Sequence, residues 1–315
     1  MKKIFLLFAV MLVVIPAKSQ LVKWTPEDIK LLTQQWKGER LPDGRPKVSD
    51  AHLKRLENVP IEEAYTLMLR KGYECQFENF ASIYENGWLI IHPDKPMIGR
   101  VLTAQYMPMR FDLDDYLQEA GKKQDINRVT NALPVNSLLE GDIYVADGYG
   151  RIADGGTLIG DNVAKTIYNN SKQGVIFNGA VRSLEAIAEI EGFNGWIRGA
   201  DPSSISRMIC TSVNAPIRIG RVSVLPGDVV IARRSGVIFI PPHFVEEIIL
   251  SVEIATLRRQ FSEQQRAGTI NSNVEFRDWL NRQTNLPMTK AELDRYYEQQ
   301  AYQQANPQPA RSQRQ

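Results

Sequence analysis

The chain has 315 residues, 43% of them hydrophobic and 23% charged, which is enough for one large domain or two ordinary ones around a packed core. The formal net charge is +2, but without Lys2, Lys3 and Lys18 there are 35 basic residues against 36 acidic ones. That balance excludes an overall electrostatic pull toward nucleic acid. Two cysteines, three histidines and no CxxC or HExxH pattern argue against a histidine- or cysteine-rich metal centre.

Met1-Lys2-Lys3 followed by the apolar run Ile4–Pro16 and the small residues around Ala17-Lys18-Ser19 reads as a secretory signal peptide over 1–19. The apolar run is too short to span a bilayer comfortably, so no membrane span is expected after cleavage, and the mature chain is expected to be secreted or periplasmic. Export permits a disulfide, but Cys75 and Cys210 are too far apart in sequence to predict whether they pair. Cys210, in an apolar context, reads as a small buried hydrophobe.

Residues 20–58 form an N-terminal helical segment. Thr25-Pro26-Glu27-Asp28 is a helix start, 41–50 is a loop, and a second helix covers 50–57. The amphipathic stretch 61–71 follows, then strands at 88–91 and 99–104. A helix over 113–123 leads through a variable connection to Gly141. These helices are expected to pack on the domain or on a neighbouring subunit.

Residues 141–183 carry the strongest signal. Ile143-Tyr144-Val145 is a β-prone run, and Gly155, Gly156 and Gly160 punctuate a loop. A helix is predicted over 161–169, and Val175-Ile176-Phe177 is a second buried strand. Free N–H groups at Gly160–Val163 and the positive end of the helix dipole would attract an anion. Arg182 follows the second strand and suits bidentate grip of a carboxylate. Neither GxGxxG nor GxxxxGK[ST] occurs here, so a nucleotide site is disfavoured. A plain tight turn and a surface arginine would look the same by spacing.

Ser183 is placed as the N-cap of a helix over 184–191. Short β-prone runs up to 240 predict a curled or two-layered sheet. The helix over 243–265 carries two apolar stripes, one with Phe244, Ile248, Val252 and Ala255, the other with Leu250, Ile254, Leu257 and Phe261. One is expected to face the core and the other a subunit contact. A helical extension covers 266–300, and the polar tail 301–315 is expected to be disordered.

The motifs GDNVA, GVIFNGAVRS, FNGWIRG, NAPIRIG, VLPGDVVIA and GVIFIPP occur in order, and the chain resembles the RraA-like family over roughly 60–250. That family includes the regulator of ribonuclease E activity and class II 4-hydroxy-4-methyl-2-oxoglutarate aldolases. A longer subgroup shares the ending around PMTKAELDRYY. The resemblance implies an α/β fold, a swivelling β/β/α domain at 59–265 with N-terminal helices and a helical C-terminal extension, assembled as homotrimers or hexamers with sites between subunits.

It also implies a lyase, an aldolase or oxaloacetate decarboxylase, acting on a small 2-oxo acid with a divalent metal, magnesium or manganese. Gly160, Asp161, Asn162, Val163 and Arg182 match the family's substrate loop and arginine, with Arg182 and Asp161 as the catalytic pair. Asp161 and Ser183 occupy the metal-side positions. The chain departs from the pattern at Ser183, where the family carries a metal-ligand aspartate, and at Asn178-Gly179, where it often carries Asp-Gly. Both departures remove a carboxylate, which raises the alternative of a catalytically impaired member that binds a small carboxylate or serves as an oligomeric scaffold. Ribonuclease inhibition fits poorly with an exported chain.

Overall fold

The computed structural model describes residues 22–81 and 87–306; the expected signal peptide over 1–19 lies outside them, as do 20–21, 82–86 and 307–315. The N-terminal segment carries α1 (Pro26–Leu32) and α2 (Asp50–Leu56), and α3 (Ile61–Arg70) follows it. Thr25 and Ser49 cap the first two, accepting from the N–H of Asp28 and His52. Strands β1 (Phe77–Glu78), β2 (Leu89–Ile90) and β3 (Met97–Pro108) follow, then helices α4 (Phe111–Lys122) and α5 (Ala132–Val135).

The central stretch runs β4 (Asp142–Asp147), β5 (Thr157–Ile159), α6 (Asp161–Ser171), β6 (Val175–Asn178), β7 (Ala180–Val181), α7 (Leu184–Ala188), β8 (Gly195–Ile197) and β9 (Gly199–Ala200). The domain closes with β10 (Met208–Val213), β11 (Ile217–Ile219), β12 (Val222–Val224), β13 (Val229–Arg233) and β14 (Gly236–Ile240). Helices α8 (Val245–Arg266), α9 (Phe276–Asn281) and α10 (Lys290–Ala305) complete the described chain.

The main sheet has the order β1, β14, β13, β3, β4, β6, β8, β2, with β10 added to β3. Its centre is parallel from β3 through β4 and β6 to β8, and its flanks are antiparallel. All six residues of β4 are buried, as expected of a strand covered on both faces. Tyr144 and Ala146 pack with Ala164 and Ile167 of α6, whereas Ile143 and Val145 pack with Ile217 and Val222 of the β11–β12 hairpin. A separate three-stranded sheet, β5, β7, β9, stands beside the main one and is parallel throughout.

The N-terminal helices pack on the chain's own domain. Leu53, Leu56, Ala64 and Met68 meet Ile231, Ile238 and Ile240 of β13 and β14 and Ile248 and Ile249 of α8. The loop before α2 is stapled by Arg45, whose fully buried guanidinium lies 2.7 Å from Asp142 and 2.6 Å from Asp43.

Four expectations need correction. The second stripe of α8 is no subunit contact: Leu250, Ile254 and Phe261 are covered by Phe276, Trp279 and Leu280 of α9 and Leu293 of α10. The extension supplies the apolar cover that a partner was expected to bring. Helix α10 runs to Ala305, so the tail expected to be disordered from 301 begins as helix. Helix α7 stops at Ala188, short of 191. Ser183 does precede α7, but its hydroxyl makes no cap bond. Its backbone is left-handed (φ 57°, ψ 44°), whereas a capping hydroxyl reaches the first-turn N–H groups from extended backbone.

The cysteines are both free, with Cys75 exposed and Cys210 buried as expected. Burial pushes the Cys210 thiol up to about 12. It lies beside the hydroxyl pair Tyr106–Tyr144, 2.8 Å apart. Among the described residues no helix is long and apolar enough to cross a membrane.

Candidate active site

The small parallel sheet positions the predicted site residues. Ile159, Val181 and Ala200 are in register across β5, β7 and β9. The next residues, Gly160, Arg182 and Asp201, therefore stand in a row at the carboxyl ends of three parallel strands, where α/β sheets commonly bind ligands. The Arg182 N–H donates to the Ile159 carbonyl at 2.9 Å, and the Asp201 N–H donates to the Val181 carbonyl at 3.1 Å, which carries the ladder through the row.

Gly160 is also the N-cap of α6, in extended backbone and with no side chain to cap the helix. A Cβ placed on it would lie 2.8 Å from Arg182 Nε, so the glycine makes room for the arginine to lie across the helix start. The Arg182 side chain is exposed, and among the described residues its guanidinium has no hydrogen bond or ion pair. A full positive charge and the positive end of an 11-residue helix thus converge, and Asp161 in the first turn makes no ion pair with the arginine. A ligand carboxylate would neutralise both, with helix N–H groups and guanidinium as donors.

The other predicted residues divide. Val163 is half-buried and packs on the core, so only its backbone faces the helix start. The Asn162 side chain is exposed. Asp161, the first residue of α6, sits 3.5 Å from Lys165 one turn along and makes no ion pair with Arg182. Ser183 follows Arg182 directly and is exposed.

Asn178 is nearly buried at the end of β6. Its amide donates to Asp147 Oδ1 at 2.9 Å, and Asp147 Oδ2 accepts from Gln105 at 3.1 Å. Gln105, Asp147 and Asn178 are in register across β3, β4 and β6, so Asn178 faces an aspartate across the strand pair.

A divalent metal of the kind the resemblance implies binds hard oxygen ligands, chiefly carboxylates. Here its position offers the Ser183 hydroxyl, and Asp161 is engaged with Lys165. Among the described residues, the group of three close ligating side chains lies elsewhere, at His52, Glu246 and Glu292. Those acids already pair with Arg55 (2.5 Å to Glu292) and Arg295 (2.6 Å to Glu246), an ion-pair network that fastens α10 to α2 and α8. Among the described residues the Arg182 site, with Asp161, Ser183 and the nearby Asp201, brings no three ligating side chains together, and so does not fit a resident metal.

Sequence reading missed Asp201 and the loop after it. Asp201 Oδ1 accepts from the Ser203 N–H at 2.9 Å and from the Ser203 hydroxyl. Ser203 Oγ in turn accepts from the Gly155 N–H at 2.7 Å. Gly155 has φ +79°, and a Cβ there would lie 2.2 Å from Ser206 Oγ, so the glycine lets the two loops close on each other. The available signal was the third glycine-marked strand end, Arg198-Gly199-Ala200-Asp201, after those at Gly160 and Arg182.

Residues 46–239, more than half of the chain, match the family RraA-like: Aldolase/RraA. The chain belongs to the RraA-like family. A 4-hydroxy-4-methyl-2-oxoglutarate aldolase of Thermus thermophilus is 30% identical over 115 residues, 35% of this chain and 68% of that one. A Shewanella oneidensis protein provisionally assigned the same activity is 33% identical over 105 residues, 30% of this RraA-like chain and 62% of its own length, so this chain spans less than two thirds of that relative. The crystal structure of Streptomyces coelicolor RraAS2, an unusual member of the RNase ES inhibitor RraA protein family, has a TM-score of 0.54 at 21% identity. It covers 70% of this chain and 98% of that one, a likeness of fold. The RraA-like match ends at the last sheet strand, β14, so α8–α10 lie beyond it.

Proposed function

We propose that this RraA-like protein is a lyase of small 2-oxo acids that releases pyruvate. The observation that carries the reading is the exposed Arg182 guanidinium lying across the start of α6, unpaired among the described residues. In this reading the substrate's C1 carboxylate binds the α6 N–H groups and Arg182. When the C–C bond breaks, charge moves onto the C2 oxygen, and Arg182 stabilises that enolate more strongly than the neutral ketone. The names of the relatives support a substrate of the 4-hydroxy-4-methyl-2-oxoglutarate kind.

Arg182 and Ser183 stand on open surface, while two of the chain's clefts lie elsewhere, one by Asp50, Glu140 and Lys172 and one by Trp36, Asp228 and His243. A second copy closing over the site, in a homotrimer or hexamer, would exclude water from it. The basic and apolar start of the sequence supports a secreted or periplasmic protein.

A second reading, a member that binds a small carboxylate without cleaving it, is favoured by the hydroxyl in place of a carboxylate at Ser183. The purified protein, offered oxaloacetate and 4-hydroxy-4-methyl-2-oxoglutarate with and without magnesium, separates them. The lyase releases pyruvate, and Arg182→Ala loses about 100-fold or more. Saturable binding of pyruvate without turnover of either acid establishes the second reading.

A further inference from the structure

Asp201 has no role in the function derived so far, yet it is the third member of the row Gly160–Arg182–Asp201. Residues in register on parallel strands carry their side chains on the same face, so Asp201 and Arg182 project from one face with their backbones about one strand spacing, ~4.8 Å, apart. The two do not pair, and among the described residues Asp201 Oδ2 has no hydrogen bond. Oδ1 is fixed by the Ser203 hydroxyl and N–H, and Ser203 is itself held by Gly155 and by Thr157, whose hydroxyl donates to the Ser203 carbonyl. One oxygen is anchored and the other is open, as a positioned proton acceptor requires.

Building on the lyase reading, we propose that Asp201 is the general base that removes the C4 hydroxyl proton of a 4-hydroxy-2-oxo acid. A C1 carboxylate held where Arg182 crosses Gly160 leaves C4 three bonds away, about 3.8 Å along the row in the direction of Asp201. Asp201 takes the hydroxyl proton, the C3–C4 bond breaks, and C4 becomes a ketone. The electron pair forms the C2 enolate at Arg182, and the proton on Asp201 returns to C3, which regenerates the carboxylate. Nothing is oxidised or reduced. The Ser203 hydroxyl, then its N–H, hold Asp201 below the usual carboxylate range, so it is ionised and ready to accept at neutral pH.

Decarboxylation of oxaloacetate passes through the same enolate but has no hydroxyl proton to remove, so the two substrates separate the role of Asp201 from that of Arg182. With the full mature protein, Asp201→Asn is expected to lose about 100-fold more kcat on 4-hydroxy-4-methyl-2-oxoglutarate than on oxaloacetate. Asp201→Glu is expected to recover part of that difference, and Arg182→Ala to lower both activities together. Equal losses on both substrates in Asp201→Asn would mark a structural role and overturn the proposal, as would undiminished cleavage of the hydroxy acid. A wild type active on oxaloacetate alone would overturn the Asp201 proposal and spare the lyase reading. A wild type active on neither would overturn both.

Discussion

The Asn178 amide donates to Asp147 Oδ1 at 2.9 Å, across the carboxyl ends of β4 and β6. An amide at 178 suits this place, because it can donate to the carboxylate that is present. Asn178→Asp would set two carboxylates against each other in a nearly buried position, and one of them would hold its proton to higher pH. A raised folded-state pKa means that stability is lost as pH rises through it. The variant is expected to be about 1–3 kcal/mol less stable than wild type at pH 8, with a smaller deficit at pH 5. Urea unfolding at both pH values checks this, and an unchanged midpoint at pH 8 contradicts it.

Gly160 tests the clamp without removing its charge. The backbone there (φ −119°, ψ −175°) accepts alanine, but the new Cβ would displace the Arg182 side chain from the helix start. Gly160→Ala should keep a Tm within about 2 °C of wild type while binding small 2-oxo acids about tenfold more weakly. Thermal unfolding and calorimetric titration with pyruvate measure the two halves.

Arg45 and Asp142 are both fully buried, and Asp142 ties the loop before α2 to the base of β4. Burial raises the Asp142 carboxyl, and Arg45 is the chief opposing influence. Arg45→Ala strands that carboxylate and is expected to cost about 3–5 kcal/mol in urea unfolding. Replacing both partners, Arg45→Met with Asp142→Leu, should restore much of the loss.

Burial pushes the Asp228 carboxyl up to about 7, against the Leu225 N–H, which holds Oδ2 at 2.9 Å and favours the charged form. The folded state keeps this proton after the unfolded chain has released it near pH 4. Stability contributed by the protonated group is therefore present below pH 4 and lost between about pH 4 and 7, on the order of 4 kcal/mol in all. Asp228→Asn keeps an acceptor for Leu225 and should flatten the wild-type decline in Tm across that interval.

Much of the fold was legible because it rests on local periodicity and punctuation. Thr25-Pro26 starts α1, the β4 run is buried on both faces, and Asp161 begins α6. Of the candidate site, the nearness of the glycine loop to the arginine was legible, and the structure brings Gly160 and Arg182 together.

The rest depended on pairings distant in sequence. The sheet that holds the candidate site has strands of two or three residues, too short for any period, so nothing in the sequence pattern marked Asp201. The Asp147–Asn178 bond and the Arg45–Asp142 pair join positions 31 and 97 residues apart. The second stripe of α8 read correctly as apolar, but periodicity cannot distinguish a partner from the chain's own α9 and α10.

The most direct test of the central claim is calorimetric titration of the purified protein with pyruvate, comparing wild type with Arg182→Ala. Loss of charge-assisted hydrogen bonds to a carboxylate predicts binding at least about tenfold weaker in the variant, with its Tm unchanged. Equal affinity in the two proteins, or no binding to wild type, would contradict a carboxylate clamp built from Arg182 and the start of α6.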